Sequence, residues 1–433
     1  MEEGRKGMFL RTRLTVRLSS DWEVIKDVAA LSVVVFMCVY RLWSREFGFI
    51  HKLRVGVGSR GETLFPNDPC IGQASKNGTC YTADECTSKG GTNSGTCAQG
   101  YGVCCTFTAS CGATSNENCT YFESTGSEIG ACRLKICPCT DNICQLRLDF
   151  NQFMITGPST STVIVSAAKA GVIGAPGATV PVTTASQCLT DSFSVLSSTG
   201  QSPPTICGQN SGEHMYVDST ASCNDLVFQL GGTGRGTGIG QRQWSIKITQ
   251  YSCDYPNLAP DGCTQYYFGS SADTVQTYNF AGSQHLANQD QNICIRRERG
   301  NCRICYTTAM ETDFSVSFSM AGSGGMAIAK ASECCGYGKG MGKNFDCLIV
   351  PGALDPLMMS KQGKFDQFCG RSAGLVGTTS TAAVMMSQTI CSDRQPFNIR
   401  FLSDGFEADM EIGAGVMPGF KLTYFQTSNG CNA

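Results

Sequence analysis

The chain has 433 residues, of which 41% are hydrophobic and 16% are charged, and this length is enough for roughly two to four globular domains. Its formal net charge at pH 7 is only -2, so no overall positive field is available to bind nucleic acid or an anionic membrane. We therefore expect no nucleic acid partner.

Residues 1–54 have the features of a leader. An apolar run over residues 28–40 follows a charged segment that contains Arg11, Arg13 and Arg17. The run has the length of a signal-peptide core and is short for a membrane span, which needs about 20 residues. Because no small-residue cleavage site follows it, three interpretations stay open: a cleaved signal peptide, a signal anchor that holds the chain on a membrane, and a buried helix.

Cysteine usage indicates the compartment. All but one of the 27 cysteines lie between Cys70 and Cys431, and such an even, dense set is typical of disulfides in an oxidising environment. Zinc is the alternative, but close pairs such as Cys137 and Cys139 do not recur at the spacings of zinc fingers or ribbons, and the chain has only three histidines. We expect a secreted protein, with no free thiol after the leader. Sequons at Asn77 and Asn118 predict N-glycosylation and agree with export.

Residues 70–105 form a short segment with six cysteines and few large apolar side chains. A segment of this size rarely buries enough surface to fold through its core alone, so disulfides must stabilise it. The spacing of the cysteines does not choose among their possible pairings.

Most of the remaining chain predicts β-strands. Its 50 glycines, with many Ser, Thr and Asn residues, separate short runs in which apolar and polar residues alternate. The clearest runs are 145–150, 244–249, 314–318 and 397–401. Each has one face to bury, so we predict an all-β protein with two β-sandwiches, over 111–253 and 263–431, joined by a turn-rich linker at 254–262.

Residues 111–253 carry an ordered set of family markers. These are Cys111-Gly112, Cys132 with its strand, the strand 143–153, Cys188 followed by Asp191, Cys207-Gly208, and the closing segment 242–253. In this order the segment resembles a CUB domain, an extracellular β-sandwich. The resemblance implies disulfide-bonded cysteines at positions 111, 132, 188 and 207.

Residues 263–431 resemble a second CUB domain. Cys263, Cys294, Cys347 and Cys369 stand for the family cysteines, and the closing strands contain Ser403-Asp404. This copy has additional cysteines and an unusual start.

The leading segment resembles a clip domain, the six-cysteine module found ahead of arthropod extracellular serine proteases and their inactive relatives. Its cysteines stand in the order of that module. The resemblance implies three pairings: Cys70 with Cys104, Cys80 with Cys97, and Cys86 with Cys105. Together the resemblances suggest an arthropod CUB-domain protein.

Catalysis is not expected. Nothing in the sequence resembles the glycine-framed nucleophile loop of a serine protease, so His214 and His285 are more simply explained as hydrogen-bonded or surface residues. The glycine-rich segment 231–240 lacks the helix that a dinucleotide site requires after it, and we interpret it as a hairpin loop.

Calcium-binding CUB domains use several carboxylates, and neither copy has the full set. The first keeps Asp191 but lacks the others, whereas the second keeps Asp404 and has Val350 where an aspartate is needed. Glu333 and Asp346 offer substitutes, but losing ligands lowers calcium affinity steeply. We expect no metal and no cofactor.

The sequence therefore predicts a non-enzymatic extracellular protein that recognises a protein or glycan through loops carried on rigid sandwiches. One alternative is an inactive regulator of a serine-protease cascade that acts through the clip-like module. The other is a disulfide-linked component of matrix or cuticle.

Overall fold

In the computed structural model, the described residues are 56–57, 63–166, 179–231, 242–308, 318–319, 329–330, 335, 346–354, 366–369, 389–405, 417–429 and 431. The chain divides into two compact units, Met1–Pro66 and Asn67–Ala433. In the first unit, strands β1 (Gly56–Val57) and β2 (Thr63–Leu64) form an antiparallel pair. The apolar run 28–40 lies outside the described residues. Within the described ranges, no helix is long and apolar enough to cross a membrane.

The six-cysteine segment 70–105, named the knot below, is built from short strands and one helix. Its elements are β3 (Pro69–Ile71), β4 (Asn77–Tyr81), α1 (Ala83–Ser88), β5 (Thr92–Cys97) and β6 (Gly102–Ala109), with 3-10 turns at Gln73–Ser75 and Ala98–Gly100. Helix α1 begins at a capping box, in which the side chains of Thr82 and Glu85 each accept a hydrogen bond from the other residue's backbone amide. Three disulfides, Cys70–Cys104, Cys80–Cys97 and Cys86–Cys105, join the same pairs that the clip resemblance implied.

The first sandwich follows directly. Its strands are β7 (Thr114–Ser115), β8 (Thr120–Glu123), β9 (Gly130–Ile136), β10 (Ile143–Met154), β11 (Ser159–Ser166), β12 (Thr179–Gln187), β13 (Asp191–Leu196), β14 (His214–Asp218), β15 (Asn224–Leu230) and β16 (Gln243–Ser252). One sheet has the order β14-β10-β16-β8, the other has the order β13-β15-β9-β7, and β11 pairs with β12.

Alternation along the strands builds the core of the first sandwich. In β16, Trp244, Ile246 and Ile248 are buried, while the residues between them are partly exposed. The Trp244 ring stacks on Phe228 of the opposite sheet, with 4.1 Å between ring centroids. The predicted strands 145–150 and 244–249 are confirmed, since they lie in β10 and β16 and pair with each other.

The knot shares a sheet with the first sandwich. Strand β6 pairs with β4 and β5 inside the knot, and its end then runs parallel to β8, with Phe107 opposite Thr120. The resulting sheet has eight strands. The Asn77 amide of the knot also donates to the Tyr121 hydroxyl of β8 at 2.7 Å. The boundary expected at residue 105 therefore does not separate two independent sheets.

The second sandwich completes the all-β fold. Its strands are β17 (Gln265–Tyr267), β18 (Ala272–Gln276), β19 (Asp290–Ile295), β20 (Arg303–Thr308), β21 (Phe318–Ser319), β22 (Ala329–Lys330), β23 (Cys347–Ile349), β24 (Ala353–Leu354), β25 (Gln367–Cys369), β26 (Ile390–Ser392), β27 (Phe397–Leu402) and β28 (Gly419–Thr427), with a 3-10 turn at Phe280–Gly282. The sheets have the orders β17-β19-β27-β23-β25-β22 and β18-β28-β20-β26-β24, with β21 beside β28.

Strand β27 confirms the prediction for 397–401. Its Phe397, Ile399 and Phe401 are buried in the core, and its other side chains point away from it. Most of the predicted strand 314–318 lies outside the described residues.

The predicted linker, 254–262, is packed rather than loose. Ala259 is buried, its amide donates to Gln145 of β10 at 2.8 Å, and its carbonyl accepts from the same side chain. Tyr278 and Leu286, which come after the linker, belong to the core of the first sandwich. The Tyr278 hydroxyl donates to the His214 carbonyl at 2.8 Å. The segment is free of strands, as a turn-rich linker should be, and contacts between residues far apart in the sequence fix it.

Candidate functional site

A groove of about 510 Å³ opens where the two sandwiches meet. Its walls are residues 201–204 and 216–218 of the first sandwich, residues 262–264, and the outward-facing side chains of β19 and β27. We name it the junction groove. Pro203 and Pro204 restrict the backbone of the wall formed by residues 201–204, and the wall formed by β19 and β27 is β-sheet. The groove is therefore largely preformed.

Four polar side chains line the wall formed by β19 and β27. The Nε and Nη2 atoms of Arg400 each lie 2.7 Å from the Asp290 carboxylate, and Asn398 donates to the side-chain oxygen of Asn292 at 3.1 Å. The Asp290 and Arg400 side chains are 59% and 48% exposed. An exposed ion pair contributes little to stability, so a polar ligand can compete for these groups at small cost.

A second groove of about 560 Å³ continues from the first, and the two share Cys263, Asn292 and Asn398. Its lining includes Tyr266 and Arg296. The site therefore extends along the surface of the second sandwich.

Aromatic and cationic side chains lie in a row beside the two grooves. Tyr216 of β14 meets Tyr266 of β17 edge to face, with 6.1 Å between centroids, and Tyr266 lies 5.3 Å from Phe268. Arg147 lies over Tyr216 and Arg296 over Phe268, at 5.5 and 5.2 Å from the ring centroids. Burial raises the pKa of both tyrosines, so their hydroxyls stay protonated. Arginine and large aromatic side chains are the residues enriched at binding surfaces.

Glu213 connects the two sandwiches close to this site. One of its carboxylate oxygens accepts from Gln265 of β17 at 2.9 Å, and the other accepts from Gln276 of β18 at 2.6 Å. Burial raises the pKa of Glu213 to about 7, and the two amides and the charge of Lys421 only partly oppose this rise. The carboxyl group therefore changes its charge near neutral pH.

The two histidines considered as possible bases are both buried. His214 is buried and accepts from the Tyr266 amide at 3.1 Å, and burial together with the charge of Arg147 lowers its pKa to about 3. His285 is buried between the Met417 carbonyl, 2.8 Å from Nδ1, and the Asp346 carboxylate, 2.6 Å from Nε2. Both imidazoles connect segments of the fold.

Two of the carboxylates weighed as calcium ligands, Asp191 and Asp346, bind partners within the protein. Asp191 is completely buried and is held by Arg242 at 2.7 and 2.8 Å and by the Thr156 and Gly231 amides. Burial alone would raise its pKa, but these hydrogen bonds lower it. In the second sandwich, Asp346 accepts from the Asp404 amide at 3.0 Å as well as meeting His285.

The two predicted glycosylation sites lie in different surroundings. The side-chain amide of Asn118, where a glycan would attach, donates to the Gln250 carbonyl at 3.1 Å, whereas Asn77 begins β4 at a partly buried position. Residues 232–241 of the glycine-rich segment, and Glu333, lie outside the described residues.

The disulfides extend beyond the predicted ones. The predicted cysteines form Cys111–Cys132, Cys188–Cys207 and Cys263–Cys294, while Cys347 is bonded to Cys335. The others are Cys137–Cys223, Cys144–Cys253, Cys302–Cys431 and Cys305–Cys391. The side chain of Cys369 lies outside the described residues.

Among the cysteines that the structure describes, two are unbonded, which departs from the expectation of no free thiol. Cys119 and Cys139 are both partly buried thiols. An even number of cysteines does not by itself bring each pair to bonding distance, and here the backbone amide of Cys139 is instead held by the Gln250 side chain.

Comparison with known proteins identifies the second sandwich. Residues 260–427 match the model of the animal CUB domain. The second sandwich is therefore CUB-like. Together with the disulfides, the match indicates an extracellular protein that carries a CUB-like fold. No curated protein matches the chain.

Solved structures give only distant similarity to this chain. It is 14% identical to the CUB1-EGF-CUB2 domain of human MASP-1/3, over 71% of this chain and 98% of that one, with a TM-score of 0.19. It is 9% identical to the full extracellular region of zebrafish Gpr126/Adgrg6, over 75% of this chain and 34% of that one, with a TM-score of 0.21. With scores this low, neither structure defines how the domains are arranged.

Sequence reasoning did not find the junction groove, Glu213 or the partner of Asp191. The groove and Glu213 depend on contacts between two sandwiches, which no local pattern reveals. Arg242 carried a weak signal, because it begins the closing segment 242–253 that was already singled out.

Proposed function

We propose that this chain is a non-enzymatic extracellular recognition protein that binds a protein or glycan ligand in the junction groove. The observation that carries the proposal is the exposed polar wall of Asp290, Asn292, Asn398 and Arg400. A preformed groove with a few convergent polar groups is the usual form of a recognition site.

The charges in the groove favour such a ligand over nucleic acid. Asp218 and Asp290 line it together with Arg400, so the wall is not predominantly cationic. A phosphate backbone needs an array of lysine and arginine residues. Amides, carboxylates and a guanidinium group instead suit peptide groups and sugar hydroxyls.

The proposal that the chain has no catalytic activity is supported by the engagement of its histidines. His214 stays neutral inside the fold, and both ring nitrogens of His285 have neighbours within hydrogen-bonding distance. A general base needs a ring nitrogen that reaches the substrate. Active-site serine probes and peptide substrates test this proposal, and stoichiometric labelling or turnover would contradict it.

Ligand capture from extracellular fluid tests the binding proposal. The secreted full chain and its Arg400→Ala variant are immobilised, and bound molecules are identified by mass spectrometry of proteins and released glycans. Arg303→Ala is the matched control, because Arg303 forms a similar surface ion pair with Asp393 and does not line either groove. We expect at least one ligand to be lost with Arg400→Ala alone. Equal capture by all three proteins would contradict the proposal.

The knot gives less support to the protease-regulator alternative. Ile71 and Tyr101 are its exposed large apolar side chains among the described residues, at 75% and 61% exposure. The register of β3, β4 and β6 puts Ile71 opposite Asn77, whereas Tyr101 adjoins the other end of the sheet near Tyr81. Single exposed apolar residues are ordinary on protein surfaces, and these two do not form one patch.

A further inference from the structure

Cys119 and Cys139 are the unbonded cysteines of the described residues. Cys119 directly precedes β8 in the eight-stranded sheet, and Cys139 follows β9 in the facing sheet. The two thiols therefore come from opposite layers of the first sandwich, although 20 positions in sequence numbering separate them.

One buried residue, Gln250 of β16, holds both backbones. The Gln250 amide donates to the Asn118 side-chain oxygen at 2.8 Å, and that oxygen also accepts from the Cys119 amide at 2.8 Å. The Gln250 side-chain oxygen accepts from the Cys139 amide at 2.9 Å, and its Nε2 atom donates to the Cys137 carbonyl at 3.2 Å. Gln250 thus brings the two cysteines to the same end of the sandwich.

The electrostatic surroundings of the two thiols agree with this placement. Burial raises the pKa of both thiols, and a negative charge on the Cys139 sulfur raises the pKa of Cys119 further. Protonated, partly buried thiols react slowly with large external reagents. Because Gln250 holds the backbone next to both cysteines, each thiol is a candidate partner for the other.

We propose that Cys119 and Cys139 are the two halves of a further intramolecular disulfide that links the two layers of the first sandwich. The oxidant is a small-molecule disulfide such as oxidised glutathione. One protein thiolate attacks it, forming a mixed disulfide and releasing one glutathione thiolate. The second protein thiolate then displaces the other glutathione. The two protein thiols are oxidised to one S–S bond, their two protons are lost, and the reagent is reduced to two thiols.

Peptide mapping of the full secreted chain tests this site. The protein is incubated with oxidised glutathione, alkylated under denaturing, non-reducing conditions, and cleaved at Arg133 and Lys135, which lie between the two cysteines. We expect a crosslink between the Cys119 and Cys139 positions within one chain, and loss of alkylation at both. Alkylation at both positions, or a bond from either one to another cysteine or another chain, would overturn the proposal.

Single substitutions supply an independent readout. Cys119→Ser should leave Cys139 either alkylated or capped by glutathione and never joined to another cysteine of the chain, Cys139→Ser should do the same for Cys119, and the double variant should show neither signal. If a single variant fails to fold, the map of the unsubstituted chain still decides the question. A bond from Cys139 to another cysteine of the Cys119→Ser chain would show that its partner lies elsewhere, and would overturn the assignment.

Discussion

Glu213 is the residue through which pH acts most directly on the junction between the sandwiches. Its carboxylate accepts hydrogen bonds from Gln265 and Gln276 of the second sandwich, while Glu213 itself directly precedes β14 of the first. The pKa of Glu213 rises from 4.5 to about 7 because burial penalises its charged form.

A pH titration of stability follows from this shift. Because the folded-state pKa is the higher one, the folded chain binds the proton more tightly than the unfolded chain. The stabilisation is fully present below pH 4.5 and is lost as pH rises through about 7. We expect Glu213→Gln to gain about 1–2 kcal/mol relative to the parent between pH 5 and pH 8, after allowing for partial solvent screening. Denaturant unfolding at both pH values measures this, and parallel pH profiles would contradict it.

In contrast to Glu213, Asp191 is stabilised in its charged form by an ion pair with Arg242. The side chains of this pair are almost completely shielded from solvent. We expect Arg242→Met to destabilise the protein by about 3–5 kcal/mol, because the buried carboxylate loses its charged partner. The exposed pair of Arg303 and Asp393 is the control, and Arg303→Met should cost about 0–1 kcal/mol. Thermal unfolding of both variants measures the difference. Equal losses would show that Asp191 does not depend on its pair.

Strand β6 determines whether a loss of structure in the knot extends into the first sandwich. Since β6 belongs to the knot at one end and pairs with β8 at the other, the knot has no separate sheet edge toward the sandwich. A disulfide that holds β6 therefore also supports the first strand pair beyond the knot.

We predict that the double variant Cys86→Ser/Cys105→Ser loses about 2–4 kcal/mol of local stability. Amide hydrogen exchange should become faster in α1 and β4, and also at the pairing of β6 with β8, while the second sandwich stays protected. The matched control is Cys302→Ser/Cys431→Ser, which removes a disulfide at the exposed end of the chain. If β8 kept its protection while α1 lost it, the knot would be an independent module after all.

The sequence predicted elements where the information is local. Trp244, Ile246 and Ile248 alternate with polar neighbours, so the strand is visible without the structure. The packed linker was not predictable, because Ala259 is fixed by Gln145, which lies 114 positions earlier. The free thiols were missed for a similar reason: counting cysteines says nothing about which sulfur atoms meet.

At the scale of the whole molecule, residues that follow the linker complete the core of the first sandwich. Tyr278 follows the linker, yet it packs against Phe150 of the first sandwich and its hydroxyl reaches the His214 carbonyl. A residue shared in this way couples the unfolding of the two parts.

We predict that Tyr278→Ala destabilises both sandwiches together, by about 3–5 kcal/mol, because it empties a fully buried aromatic site. Tyr278→Phe retains the ring and should cost only about 1 kcal/mol, for the lost hydrogen bond. Calorimetry should show one shifted transition in the alanine variant. Two transitions, with only one displaced, would mean that the sandwiches unfold separately.

The junction groove has walls from both sandwiches, so it is complete only while the sandwiches are docked. Ligand binding in the junction groove and docking of the two sandwiches are therefore linked equilibria. A ligand present at about 100 times its Kd would stabilise the docked arrangement by about 2.7 kcal/mol over an undocked one that cannot bind it. The coupling is reciprocal. If bound ligand strengthens the Glu213 contacts by some factor, a change that breaks those contacts weakens ligand affinity by that factor.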